Sequence, residues 1–165
     1  MSNSQWYALV VRSDRAFRVR DALRGLGIDE FLPTRTETTR WSDRVKTSER
    51  QLFPGYIFAF FNGNQSQVLD LPGVLHILPS SLNPTPIDSD EISSLRTALA
   101  SSTASQATLH DYVVGAKVLI KSGPLAGVSG VVVRTKDSVR VSVGIEMLGR
   151  AMSVTIDAGD LEKAA

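Results

Sequence analysis

The chain of 165 residues is long enough for one domain or two small ones, and its 42% hydrophobic and 21% charged residues with 12 glycines describe a globular protein, not a disordered or fibrous one. It has no cysteine, which excludes disulfides and thiolate metal sites, and its two histidines, His76 and His110, lie too far apart in sequence to suggest a ligand cluster. No apolar run approaches the roughly 20 residues of a membrane span and the N-terminus lacks a basic-then-apolar signal pattern, so the expectation is a cytoplasmic protein with no membrane contact, metal or cofactor.

The net charge of +1 hides an uneven distribution. Ten of the 18 basic residues fall between Arg12 and Arg50, where seven carboxylates leave a surplus of three. A polyanion would use this weak basic patch only if the arginines share a face.

Trp6 to Val11 reads as a strand that is apolar on both faces and therefore central in a sheet. Ser13 offers an N-cap oxygen and Asp14 a first-turn charge for a helix whose apolar positions are Ala16, Val19, Leu23 and Leu26, with Gly25 or Gly27 as a left-handed terminator. Arg15 and Arg18 lie three apart on this helix, with Arg12 just ahead of it. Phe31-Leu32-Pro33 closes the helix-turn segment. The polar stretch from Thr34 to Arg50 then suggests a hairpin with Trp41-Ser42-Asp43-Arg44 at its tip. In Gln51 to Phe61, Pro54 presets φ and Gly55 tolerates positive φ, a turn that launches a strand from Tyr56 to Phe61. A short helix over Ser66 to Leu71, a Pro72-Gly73 turn and a strand Val74 to Leu78 follow. Asp88 and Glu91 give a capping signature ahead of the helical stripe Ile92, Leu95 and Leu99.

Residues 101–110 hold few large apolar groups and read as a linker. Beyond it come the valine-rich segments Lys117–Ile120, Val131–Thr135, Val139–Val143 and Met152–Ile156, short and evenly spaced as in a small antiparallel barrel. Within Tyr112 to Val132, Gly123 and Pro124 turn the chain, Gly127 takes positive φ, and Gly130 lets two strands approach closely. Leu125 and Val128 then stand as exposed apolar residues of a loop. The expected class is α+β, a mixed N-terminal sheet flanked by helices over 1–100, then the barrel over 111–165.

From Trp6 to Leu161 the chain resembles the NusG family of transcription elongation factors. The resemblance lies in the Trp6-Tyr7 strand, the Phe53-Pro54-Gly55-Tyr56 corner, the Gly123-Pro124-Leu125-Ala126-Gly127 loop, which is similar to a KOW motif, and Leu148-Gly149-Arg150. It implies an SH3-like KOW barrel behind a domain that binds the clamp helices of the RNA polymerase largest subunit. The matching polymerase-facing positions are Ala8, Val10, Phe53, Pro54, Tyr56 and Phe58, with Phe53 and Tyr56 foremost. Arg12, Arg15 and Arg18 match the region with which specialised relatives touch the non-template DNA strand, although a plain solvated helix face fits them equally. The stretch Asn64-Gln65-Ser66-Gln67 departs from the His-Thr-Thr element of some relatives. The barrel loop, with Gly123, Pro124, Leu125 and Val128, implies contact with a ribosomal small-subunit protein or a termination factor.

The hairpin tip resembles that of operon-specific antitermination paralogues. A monomer without enzymatic activity is expected, since no nucleophile elbow, P-loop or paired acid-base constellation is present. The alternative is a KOW-type ribosome- or RNA-binding module, although a pI near 8.1 is low for a ribosomal protein. The glycines and proline of the barrel segment also argue against its refolding as a helical hairpin, since each glycine costs a helix about 1 kcal/mol and proline about 3.

Overall fold

Tyr7, Leu9 and Val11 alternate with Trp6, Ala8 and Val10, and an extended backbone sends alternate side chains to opposite faces. The computed structural model of the chain accordingly begins with strand β1 at Gln5–Val11. It describes residues 3–79, 84–101, 108–134, 139–156 and 158–163. Two units emerge, Met1–Pro33 with Gln51–Ser89, and Thr34–Arg50 with Asp90–Ala165.

In the first unit, residues Ser13–Arg15 form a 3-10 turn ahead of helix α1, Ala16–Gly25. Ser13 is therefore not the N-cap. The tighter turn sets it three residues ahead of the α-helix, and Arg15 takes the cap position with no side-chain bond. The C-terminus closes as a Schellman motif. Gly27 at φ +73° donates to the Arg24 carbonyl at 3.0 Å, and Ile28 to the Leu23 carbonyl at 3.0 Å. Ala16, Val19 and Leu23 are buried as the periodicity requires, but Leu26 stands beyond the last turn and is 47% exposed.

The remaining elements of this unit are β2 (Asp29–Phe31), β5 (Tyr56–Phe61), α2 (Gln65–Leu69) and β6 (Val74–Ile77). Between β2 and β5 in sequence come β3 (Thr34–Arg40) and β4 (Val45–Gln51), which pair with each other as a separate two-stranded sheet and, up to Arg50, count with the second unit. The sheet order is β2-β5-β1-β6, and every pairing is antiparallel, not mixed. The reason is that each helical crossover skips one strand. β1 and β2 run parallel but β5 lies between them, and β5 and β6 run parallel with β1 between. One face of this sheet packs Tyr7, Leu9, Ile57, Ala59 and Phe61 against Val19 and Leu23 of α1 and Val68 of α2. Burying each such large side chain contributes about 1.5–3 kcal/mol.

In the second unit, helix α3 (Ser89–Ala100) is followed by β7 (Thr108–Asp111), β8 (Lys117–Ile120), β9 (Ser129–Arg134), β10 (Val139–Ile145), β11 (Arg150–Ile156) and β12 (Leu161–Lys163). These six strands form an antiparallel sheet in the order β12-β8-β9-β10-β11-β7, in line with the expected small antiparallel barrel: β8 to β11 form a meander, with β12 added at the β8 edge and β7 at the β11 edge. Thr108, Leu109 and His110, expected in the linker, pair instead with Ser153, Met152 and Ala151. Residues 102–107 of that expected linker lie outside the described residues. Gly130 serves close approach, since a Cβ there would come within 2.4 Å of the Ser142 carbonyl oxygen and 2.5 Å of Val141 Cγ1. Among the described residues no helix is long and apolar enough to cross a membrane, and no group of three or more His, Cys, Asp or Glu could hold a metal ion.

Candidate functional site

The sharpest local geometry of the first unit is at Phe53 to Tyr56. Tyr56 N–H donates to the Phe53 carbonyl at 3.2 Å across Pro54 and Gly55, with Gly55 at φ +91°, a type II turn. The turn is fastened on two sides. Val11 N–H donates to the Gly55 carbonyl at 2.9 Å, which ties it to the end of β1. Gln51 accepts the Gly55 N–H on Oε1 at 3.3 Å and donates from Nε2 to the Ser13 carbonyl at 2.8 Å, which ties it to the turn before α1.

Register then decides which side chains share a face. Val10 pairs with Tyr56 and Ala8 with Phe58, so these four residues lie on the face opposite the core residues Leu9 and Ile57. Trp6, Phe31 and Phe60 belong to this same face. The Trp6 and Phe60 rings lie 5.4 Å apart, and those of Phe31 and Phe58 lie 6.0 Å apart and stacked. Sequence reasoning passed over these three; the two-residue alternation from Val10 to Trp6 and from Phe58 to Phe60 was there to find Trp6 and Phe60, whereas Phe31 joins the face only through its pairing with Phe58.

The six expected polymerase-facing residues differ in accessibility. Ala8 and Phe58 are fully buried and Phe53 is 3% exposed, whereas Val10 and Tyr56 are half-buried and Pro54 is exposed. Phe53 is thus an anchor of the corner, and the accessible surface is Val10, Pro54 and Tyr56.

Arg12, Arg15 and Arg18 sit at the β1–α1 junction in three different settings. Arg12 is exposed and pairs with Asp14 at 3.3 Å, while its backbone N–H donates to the Gly73 carbonyl at 2.8 Å. Arg15 is half-buried, and its stem packs so close to Gly73, at φ +98°, that a Cβ there would lie 2.7 Å from Arg15 Cβ. Arg18 is exposed on α1.

In the second unit the loop between β8 and β9 turns at Gly123, φ +86°, and Gly127, φ +92°. Gly127 N–H donates to the Ile120 carbonyl at 2.8 Å, and Ile120 N–H to the Val128 carbonyl at 2.9 Å. These bonds fold the loop back over the sheet, so Leu125, 4% exposed, and Val128, fully buried, are core residues of the barrel and not exposed apolar tips. Pro124 remains exposed. It borders a hollow of about 240 Å³ with Ile120, Ser122, Leu125, Thr155 and Asp160. Asp160 secures the loop, its carbonyl accepting the Lys121 N–H at 2.7 Å and its carboxylate the Ser122 hydroxyl.

Helix α3 is joined to the barrel strands through side chains that accept backbone bonds. Ser94 Oγ accepts the Ser129 N–H at 2.9 Å, and Glu91 Oε2 the Glu146 N–H at 3.0 Å. Beside them, partial burial and then the charges of Glu91 and Glu146 raise the pKa of the Tyr112 hydroxyl above its ordinary value.

Residues 4–96 match the family model NusG, described as "Transcription termination factor nusG". The chain is 28% identical to the transcription termination/antitermination protein NusG of Campylobacter jejuni, over 99% of each chain. It is 27% identical to the protein of the same name from Haemophilus influenzae, over 99% of this chain and 96% of that one. Among solved structures it is similar in fold to one titled "Domain interaction in Thermotoga maritima NusG", with a TM-score of 0.53 and 22% identity over 99% of this chain and 98% of that one.

Proposed function

The chain belongs to the NusG family, and from that premise we propose that it is a transcription elongation and antitermination factor that acts by binding and not by catalysis. The observation that carries the reading is the fastened corner at Pro54-Gly55, which presents half-buried Tyr56 beside half-buried Val10 with exposed Pro54 at the turn. An apolar ledge of this kind suits the clamp helices of the RNA polymerase largest subunit. Ala8, Phe53 and Phe58 form the packed layer that holds its shape. Clamp binding would favour the closed clamp and suppress pausing, and Arg12, Arg15 and Arg18, at the adjoining junction, would touch the displaced non-template DNA strand.

The barrel would recruit a second protein, a ribosomal small-subunit protein or a termination factor. In this proposal Pro124 and the Gly123 turn make the contact, while Leu125 and Val128 brace the loop from within. The reading includes an operon-specific paralogue, supported by resemblance of the hairpin tip alone, working as a cytoplasmic monomer.

The test is binding of the purified chain to a stalled elongation complex of its host polymerase, set against the free nucleic-acid scaffold. Much tighter binding to the complex than to the scaffold is expected. Binding to the scaffold only would move the assignment to the RNA-binding alternative.

A further inference from the structure

The β3–β4 strand pair is exposed along most of its length, and its arrangement is not used by the reading above. Trp41 N–H donates to the Arg44 carbonyl at 2.8 Å, so these two residues oppose each other across Ser42-Asp43. The Arg44 guanidinium lies over the indole, 6.0 Å from the ring centre, which puts both side chains on one face. From this pair the two-residue period carries Thr39, Glu37 and Arg35 on β3, and Lys46, Ser48 and Arg50 on β4, to the same face. The ion pairs agree, because Glu37 reaches both Arg35 and Arg50, at 3.7 Å each. Thr34 and Glu49 fall on the opposite face, where the Thr34 hydroxyl donates to Glu49 at 2.6 Å.

One side of the ribbon therefore holds Arg35, Arg44, Lys46 and Arg50 against a single carboxylate, with an indole 56% exposed to solvent at its end. We propose that this face binds single-stranded nucleic acid, with Trp41 stacking on an unpaired base and Arg44, Lys46 and Arg50 neutralising the phosphates that follow it. Two features favour this ligand. The surplus of cations along one ribbon face calls for a polyanion of extended form, and an exposed ring next to that track is satisfied by a flat base. An acidic peptide would engage the cations and leave the indole wet. A duplex would present phosphates but keep its bases stacked on each other. The site lies on different residues from Arg12, Arg15 and Arg18 and does not depend on polymerase binding.

The test titrates the full chain with oligo(dT), oligo(U) and a duplex of matching length at several salt concentrations, following anisotropy of a labelled strand and emission of the tryptophans. Single strands should bind more tightly than duplex and quench tryptophan emission, with quenching kept in Trp6→Phe and lost in Trp41→Phe. Trp41→Ala should weaken binding about tenfold. Arg44→Ala and Lys46→Ala should each lower the slope of log affinity against log salt by about 0.7. These residues are exposed, and an unchanged melting midpoint for each variant excludes misfolding as the cause. A preference for oligo(dT) or for oligo(U) identifies the natural strand as DNA or RNA, and either supports the site. The proposal is overturned if Trp41→Ala and Lys46→Ala bind single strands as the parent does, if duplex binds equally well, or if the variants lose affinity only for a protein partner.

Discussion

The Ser94 hydroxyl accepts the backbone N–H of Ser129 at 2.9 Å, linking helix α3 to the first residue of β9 from a position only 4% exposed to solvent. An acceptor so enclosed matters more than its modest net bond energy suggests, because its removal leaves the Ser129 N–H without this partner. Ser94→Ala should lower stability by about 1–3 kcal/mol, read from chemical denaturation. An unchanged midpoint would mean that water replaces the hydroxyl without loss.

Glycine at 130 answers to packing and not to backbone conformation. Gly130→Ala forces a methyl against the Ser142 carbonyl and Val141, and should cost about 1–3 kcal/mol. Gly159→Ala is the control, since a Cβ there has nothing within 4 Å, and it should stay within about 0.5 kcal/mol of the parent. Equal melting temperatures for the two variants would refute the close-approach argument.

Phe53 and Tyr56 should separate folding from binding. Phe53→Ala empties a buried anchor and should cost about 3–5 kcal/mol of stability. Tyr56→Ala, at a half-buried site, should cost far less stability, yet weaken binding to a stalled elongation complex about tenfold, equivalent to about 1.4 kcal/mol. If Tyr56→Ala binds as tightly as the parent while Phe53→Ala folds normally, the ledge has been placed on the wrong residues.

Tyr112 gives an alkaline signature. Its pKa is raised in the folded chain, so the folded state holds the phenolic proton more tightly than the unfolded state does. Its contribution is full below the ordinary tyrosine pKa of about 10 and is lost as pH rises through the folded value. Tyr112→Phe should therefore flatten the fall in stability above about pH 10 and leave the neutral-pH curve shape unaltered. A parent and variant with parallel alkaline limbs would refute this.

Elements with strong local signals were legible in the sequence. The strand from Tyr56 to Phe61 and the strand from Lys117 to Ile120 have the expected bounds, and the Pro54-Gly55 turn has the expected sign of φ. Elements that depend on a distant neighbour were not legible. Phe31 reads as the end of a helix-turn segment because Asp29 and Glu30 precede it, yet its backbone pairs with β5 opposite Phe58. Thr108 to His110 have the composition of a linker and become a strand because β11 offers an open edge. In each case the partner strand decides, and it outweighs local propensity. Among the candidate binding residues, the corner was found by its turn chemistry. The burial of Leu125 and Val128 was not, because a loop that folds back on its own sheet leaves no periodic trace, and neither was that of Phe53, which stands in the turn ahead of β5 outside any periodic run.

The Gln51 carboxamide holds the Pro54-Gly55 corner with its oxygen and the turn after Arg12 with its nitrogen. A protein surface gripped at the corner and an anion met at Arg12 would thus be presented at a separation fixed inside the chain. Selection between targets would then follow from whether their two features match that separation, a discrimination by distance that neither contact could supply alone.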